Sequence, residues 1–263
     1  MYQGFYNLTS GMLTQSRNLN VISNNMANVQ TAGYKRDKMV STTFQEEMLY
    51  RTGKRYKEDA QPLATTSKIR AADRTYVNYE QGGFDMTDGI LDFAMADRGF
   101  FCIDTPAGVR YTRNGSFHVD NEGYLALNGV GRVQGTDGQP IRIDNENFTV
   151  DSVGNISVAE VSGGGEEGET TTEVRQLGRL RVVDFEDYEQ LHKEDYGVFS
   201  TGQEPQNVEQ PAVMWKMLEK SNVDMMEEMV SMMSSQRALQ SAAQVLKMYD
   251  QIMSKSATDV GRL

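Results

Sequence analysis

Cysteine is almost absent. Cys102 is the single one in 263 residues, which excludes an internal disulfide framework and argues against a cysteine-based zinc site. Histidine is nearly as scarce, with His118 and His192 alone, so the stock of catalytic and metal-binding side chains is thin and no cofactor is expected. No run of about eighteen apolar residues occurs, so no segment reads as a membrane-spanning helix and membrane insertion is not expected. The N-terminus lacks a basic stretch followed by a continuous apolar one, so a cleaved secretory signal is not expected either. Export, if it occurs, needs a route that does not read such a signal.

What is present is unevenly placed. The net charge of −11 hides a strong polarity: residues 1–57 hold eight Lys/Arg against three Asp/Glu, and residues 213–263 hold six of each. The acid excess therefore lies entirely in the middle, which disfavours a nucleic-acid partner, since phosphate binding concentrates Lys and Arg. Nineteen of 24 glycines share that middle, while 14 of 16 methionines lie in the two ends. Helical ends around a Gly-rich, acidic centre are implied.

The N-terminal end carries one helical stripe. Met1, Phe5, Leu8, Met12, Gln15, Leu19, Ile22, Met26 and Val29 step by four and three residues, and only Gln15 is polar. About 28 helical residues would form a rod of about 42 Å. "NNMANVQTAGYKR" then marks the stop: Gly33 is suited to the left-handed conformation that closes a helix. Tyr34 is expected to pack as an anchor, with Lys35 and Arg36 facing out. Asn24, Asn25 and Asn28 are suited to backbone hydrogen bonds, capping their own helix or reaching a neighbouring subunit.

The C-terminal end repeats the pattern. Ser221-Asn-Val-Asp224 is a helix-start sequence, followed by acids in the first turn. Met225, Met229, Met232, Gln236, Leu239, Ala243, Leu246, Asp250, Met253, Ala257 and Val260 form one stripe. Ala238, Ala242, Val245, Tyr249 and Ile252 form a second beside it. Two adjacent stripes suit a helix with neighbours on two sides. A plain hairpin of the two terminal helices, with no outside partner, fits the periodicity of a single stripe equally well.

Residues 64–212 read as β structure, with short β-prone runs such as "GFFCID", "VRYTR", "GYLALN" and "LGRLRVVDF". Asn114-Gly115, Asn128-Gly129 and Asp137-Gly138 punctuate them with hairpin chemistry. The spacing predicts an all-β domain and not βαβ units. "VSGGGEEGETTTE" at 161–173 reads as a flexible acidic loop, and residues 35–63 as a basic, irregular linker. The chain thus divides into an N-terminal assembly helix (1–34), a linker (35–63), a central β domain (64–212) and a C-terminal assembly helix (213–263). The expected class is α+β, with long N- and C-terminal helices paired as a coiled-coil-like stem flanking an all-β central domain.

Motifs that carry chemistry are few. "GVGRVQG" at 129–135 lacks the strand-then-helix context of a phosphate cradle. "DNEG" at 120–123 lacks the twelve-residue spacing of a calcium loop and is better read as a hairpin turn. Asp184, Glu186, Asp187 and Glu189 near His192 could be drawn as an acid/base site, the basis of a rival reading as a β-rich cell-envelope enzyme. A solvated acidic edge is the plainer account, and His118 alternates along its strand as a surface position would. A monomeric binding module is the third reading. No enzymatic activity is expected.

Four ordered segments share a further likeness. "ANVQTAGYKR" resembles the box of the bacterial flagellar rod and hook proteins, matched at Ala27, Asn28, Thr31, Gly33, Tyr34 and Lys35. "LEKSNVDMMEEMVSMMSSQRALQ" resembles their C-terminal box, matched at Ser221, Asn222, Val223, Asp224, Glu228, Met229, Gln236 and Arg237. "LDFAMADRGFF" and "RYTRNGSFHVDNEGYL" resemble central elements of the same family. Two departures stand inside matching boxes: Leu239 where an aromatic is usual, and Asp97 where glycine is usual.

The resemblance implies a structural subunit of the flagellar basal-body rod, the drive shaft and export conduit. In that family the terminal helices stack with those of neighbouring subunits into a tube, and the β domain projects outward. Export would go through the flagellar type III apparatus, without a cleaved signal. The implied partners are further copies of the chain and other rod and hook proteins. The short connection and modest central domain favour a rod component, proximal or distal, over the larger hook protein. The implied assembly interface is Phe5, Leu8, Met12, Leu19, Ile22, Met26, Asn28, Gly33 and Tyr34 with Met229, Met232, Gln236, Arg237, Leu239, Leu246 and Met253.

Overall fold

A computed structural model describes residues 2–51, 61–143, 147–162 and 171–261. The chain opens with α1 (Tyr2–Ala27), continues through eighteen strands and closes with α2 (Met225–Val260). The architecture is α+β: an N-terminal helix, a β-rich centre and a C-terminal helix. Two compact units result. A helical unit contains Met1–Ala27, Asp37–Tyr76 and Asp224–Leu263, and a β unit contains Asn28–Arg36 and Val77–Val223.

After α1 come β1 (Asp37–Arg51) and β2 (Gln61–Val77), which form their own two-stranded sheet. This corrects the expectation of an irregular linker over 35–63. Within "MVSTTF", Val, Thr and Phe are strand formers, and they outweigh the basic residues that flank them.

The β unit then runs β3 (Phe84–Met86), β4 (Phe93–Met95), β5 (Phe100–Thr105), β6 (Gly108–Thr112), β7 (Phe117–Val119), β8 (Leu125–Leu127) and β9 (Gly131–Val133). Next are β10 (Phe148–Val150), β11 (Asn155–Ser162), β12 (Thr171–Arg179), β13 (Val182–Asp184), β14 (His192–Lys193), β15 (Val198–Ser200) and β16 (Gln206–Asn207). Last come β17 (Val213–Trp215) and β18 (Met217–Glu219). These two occupy a segment expected to belong to the C-terminal helix. They pair antiparallel with β4 and β3, so the sheet ladder claims those residues before Ser221 can start the helix.

The largest sheet has the order β14-β15-β6-β5-β9-β8-β7, with β13 and β16 attached through β5; β10-β11-β12 form a second sheet. The described pairings within it are antiparallel, as hairpin chemistry at the turns requires. "DNEG" is such a turn: the Asp120 carboxylate accepts from the Glu122 and Tyr124 backbone N–H groups between β7 and β8. "GVGRVQG" runs through β9, a strand and not a phosphate loop. Residues 163–170 of the acidic loop lie outside the described residues.

Two apolar clusters hold the β unit. Phe93, Phe101, Ile103, Leu125, Val133 and Ile156 anchor one, and Phe100, Cys102, Tyr111, Phe185 and Phe199 form the other. Phe100 meets Phe199 and Tyr79 edge to face, the arrangement favoured by the ring quadrupoles. Burial pushes the Cys102 thiol up to about 12, as expected for a cysteine used as a small core hydrophobe.

Candidate assembly site

In the β unit, the segment after α1 is fixed by a buried ion cluster. Gly33 has φ +67° and donates its N–H to the Glu219 backbone oxygen at 2.7 Å. A Cβ at this position would overlap the Arg113 carbonyl and the Asn114 nitrogen, so both the conformation and the space demand glycine. The expected left-handed Gly33 is therefore observed.

Lys35 corrects the expectation that it faces out. It is 2% exposed, and its Nζ lies 2.6 Å from Glu219 Oε1 while donating to the Glu80 carbonyl at 2.8 Å. Arg113 reaches Glu219 Oε2 at 3.3 Å and the Asp97 carbonyl at 3.0 Å. The Gly82 N–H completes the carboxylate shell. One buried acid with two cations and a backbone donor is a satisfied arrangement; an unpaired Lys35 at that depth would be costly. Burial lowers the Lys35 pKa, opposed by the attraction of Glu219.

Tyr34 is buried, as an anchor should be, with Lys193 Nζ 3.6 Å from its ring centroid. Lys193 also donates to the Lys35 carbonyl at 2.7 Å. Asn222 joins three segments: its Oδ1 accepts from Arg36 N–H, and its Nδ2 donates to the Asn78 and Glu80 carbonyls. Lys35, Arg113 and Asn222, which belong to separate boxes of the sequence, thus converge near Glu219.

In the helical unit, α1 and α2 run antiparallel against each other. Asn25 Nδ2 donates to Glu228 Oε1 at 3.3 Å, and Asn18 Nδ2 donates to Ser235 Oγ at 3.1 Å. The Gly4 Cα faces the Tyr249 hydroxyl. Each step along α1 is matched by an equal step back along α2, in multiples of seven residues. The same register brings Gly11 level with Ala242. The layer is thus built from small and polar residues, offset by one position from the apolar stripe read in the sequence. Asn25 also exchanges two hydrogen bonds with the Asp37 backbone, at 2.8 and 3.0 Å. It ties the start of β1 to α2. Asn28 accepts from the Thr31 hydroxyl.

The start of α2 follows the sequence closely. Asp224 is the N-cap, accepting from the Met226 and Glu227 N–H groups, with Glu227 and Glu228 in the first turn.

The residues of the expected interface separate by exposure. Ile22, Gly33 and Tyr34 are enclosed by their own chain; Leu8, Met12, Leu19, Met26, Asn28, Met232, Leu239 and Leu246 are half-buried. Phe5 (39%), Met229 (45%) and Met253 (39%) are exposed, as are Gln236 and Arg237. The stripe reading missed a further exposed set on the α2 face opposite α1: Met226 (71%), Val230 (60%) and Met233 (50%). Its signal was present as an i, i+4, i+7 apolar spacing beside the stripe that was read.

Elsewhere, two acids of the 184–189 cluster make local structural hydrogen bonds. Asp187 caps the turn Tyr188–Gln190, and Asp184 accepts from the Tyr188 hydroxyl at 2.6 Å. His118 is an exposed position of β7. Among the described residues, no group of three or more His, Cys, Asp or Glu gathers as a metal site would. No described helix is long and apolar enough to cross a membrane.

Three family models match the chain in order. Residues 5–35 match the flagella basal body rod protein model, and residues 94–158 the flagellar hook protein FlgE/F/G D1 domain. Residues 216–259 match the flagellar basal body rod FlgEFG protein C-terminal model. The flagellar basal-body rod protein FlgF of Caulobacter vibrioides is 30% identical over 261 residues, covering 97% of this chain and 95% of that protein.

The chain belongs to the flagellar basal-body rod protein family.

Other members of this rod family are similarly close. The flagellar hook-basal body complex protein FlhO of Bacillus subtilis is 28% identical over the whole length of both chains. The rod protein FlgG of the same organism is 28% identical over 96% of this chain and 97% of its own. The first and last rod-family matches cover most of α1 and of α2, and the hook-type match runs from β4 into β11 of the β unit.

Proposed function

We infer that this protein is a structural subunit of the flagellar basal-body rod and that it polymerises helically through α1 and α2. Family membership supports the structural role and the basal-body location. The observation that carries polymerisation is the face of α2 opposite α1, where Met226, Val230 and Met233 stand exposed. Apolar side chains at that spacing gain little from water and are stabilised by a covering neighbour, at roughly 25 cal/mol per Å² of apolar surface removed from solvent.

α1 supports the same reading. Arg17 is its one charged side chain in 26 residues. A helix with a single charge avoids most of the large penalty of taking ions out of water against another protein. The two terminal helices act as a coiled-coil-like assembly stem, and the acidic β unit is the outward domain that keeps the polymer soluble. Heterologous contacts whose rotation does not close generate a helical filament. Other rod and hook proteins continue the same shaft, and delivery runs through the flagellar type III apparatus.

The test is direct. Purified chain at rising concentration should form sedimentable helical filaments visible by electron microscopy, and tagged chain should map to the rod of isolated basal bodies. A chain that stays monomeric at all concentrations and maps outside the basal body would overturn the reading.

A further inference from the structure

The helical unit contains a groove of about 440 Å³, and every residue lining it is uncharged. It exists because of the register described above: Gly11 comes level with Ala242, and Ala238 lies one turn away, so neither helix supplies a side chain to fill the layer. Thr14, Gln15 and Asn18 form the polar wall. A Cβ added at Gly11 would meet nothing within 4 Å. Met39 and Ser41 of β1 also line it.

We propose that this groove receives the α2 methionine face of a second copy of the chain, with Met226, Met229, Val230 and Met233 as the inserted side chains. The proposal rests on the rod-subunit reading and deepens it by naming the two surfaces that meet. Three observations select this occupant. The groove is neutral, which disfavours the strongly acidic β unit of a neighbour and accepts an uncharged patch. The four inserted residues are all neutral and at least 45% exposed; Met226, Val230 and Met233 sit opposite α1, with Met229 on their flank. Three of the four are methionines, whose unbranched, flexible thioethers suit an irregular slot with mixed polar and apolar walls. Groove and patch lie on different faces of one unit, so each copy offers both and the contact is head-to-tail.

Two variants of the full chain test this. Gly11→Leu fills the groove at a site with room for it, and leucine favours helix over glycine, so the monomer should keep its melting temperature or gain. Met233→Glu puts a charge in the patch while leaving the groove intact. Each variant alone should lose sedimentable polymer, with the critical concentration raised about tenfold or more, the effect of removing about 1.4 kcal/mol per contact. Mixed in equal amounts, the two should form a one-to-one heterodimer and stop, because one intact patch meets one intact groove. A Gly11→Leu chain that polymerises like wild type, or a mixture that does not associate, would overturn the groove assignment while wild-type filaments left the rod-subunit reading standing. Failure of the wild type itself to polymerise would instead sink that reading.

Discussion

The two units of this chain are built from opposite materials. Nearly every fully buried apolar side chain among the described residues belongs to the β unit, whose Phe, Ile, Val and Leu clusters lie almost completely out of water. The helical unit contributes Ile22 alone to that set; its other buried positions are Thr14, Asn25, Glu228 and Ser235. Its other large apolar side chains, among the described residues, are half-buried, as Leu19 and Leu239 are, or exposed, as Met226, Val230 and Met233 are. Hydrophobic burial is the main favourable term in folding, so the β unit is self-sufficient and the helical unit is only partly stabilised by its own chain. Helices with small and polar contact layers are held in register by hydrogen bonds, and they await further burial.

That contrast can be broken or sharpened by substitution. The largest effect should come from Glu219→Ala. Removing the one acid leaves Lys35 and Arg113 buried without a counter-charge, and urea unfolding of the β unit should show a loss of about 3–5 kcal/mol. Gly33→Val should cost roughly 2–4 kcal/mol in the same assay, from left-handed backbone strain and overlap with the Arg113 carbonyl. Gly33→Ala should retain more of the stability, because it removes the added branch.

In the helical unit, Asn25→Ala should cost about 1–3 kcal/mol by removing its hydrogen bonds to Glu228 and to the Asp37 backbone. The loss should appear as faster amide exchange along α1 and α2 in the assembled chain, with the β unit unchanged. If the β unit loosened equally, the two units would not be separable as described.

The smallest effect concerns acid. The Tyr124 backbone N–H, followed by the Arg132 guanidinium and the Glu122 N–H, holds the Asp120 carboxyl below the usual carboxylate range. A depressed folded value means that its stabilisation is present above the ordinary aspartate pKa and is lost as pH falls through the folded one. Asp120→Asn should lower the stability of the β unit slightly near neutral pH and flatten the acid side of its stability–pH curve, the two chains converging at low pH.

Much of the fold was legible in the sequence because its signals are local. Asp224 at the N-cap, Gly33 in the left-handed region and the Asn-Gly and Asp-Gly turns depend on neighbouring residues alone. The long-range features were not legible. Lys35 reads as a surface lysine until Glu219, 184 residues away, is brought beside it. β1 was hidden by basic flanks, and β17 and β18 by their position directly before a strong helix start, since strand pairing depends on partners that no window contains. The stripe on α1 was identified, but its contact layer lies one position round, where Gly4, Gly11, Asn18 and Asn25 do not look like an interface. Hydrophobic periodicity finds faces that bury grease, and this helix pair buries Ile22 from that stripe together with the polar Thr14, Asn25, Glu228 and Ser235.

Hydrogen exchange on the full chain, first dilute and then assembled, tests the central claim most directly. The account predicts that the β unit is strongly protected in both states. The amides of α1 and α2 should exchange rapidly in the dilute chain and become protected once neighbours cover them. Strong protection along both helices in the dilute chain, unchanged on raising the concentration, would contradict it.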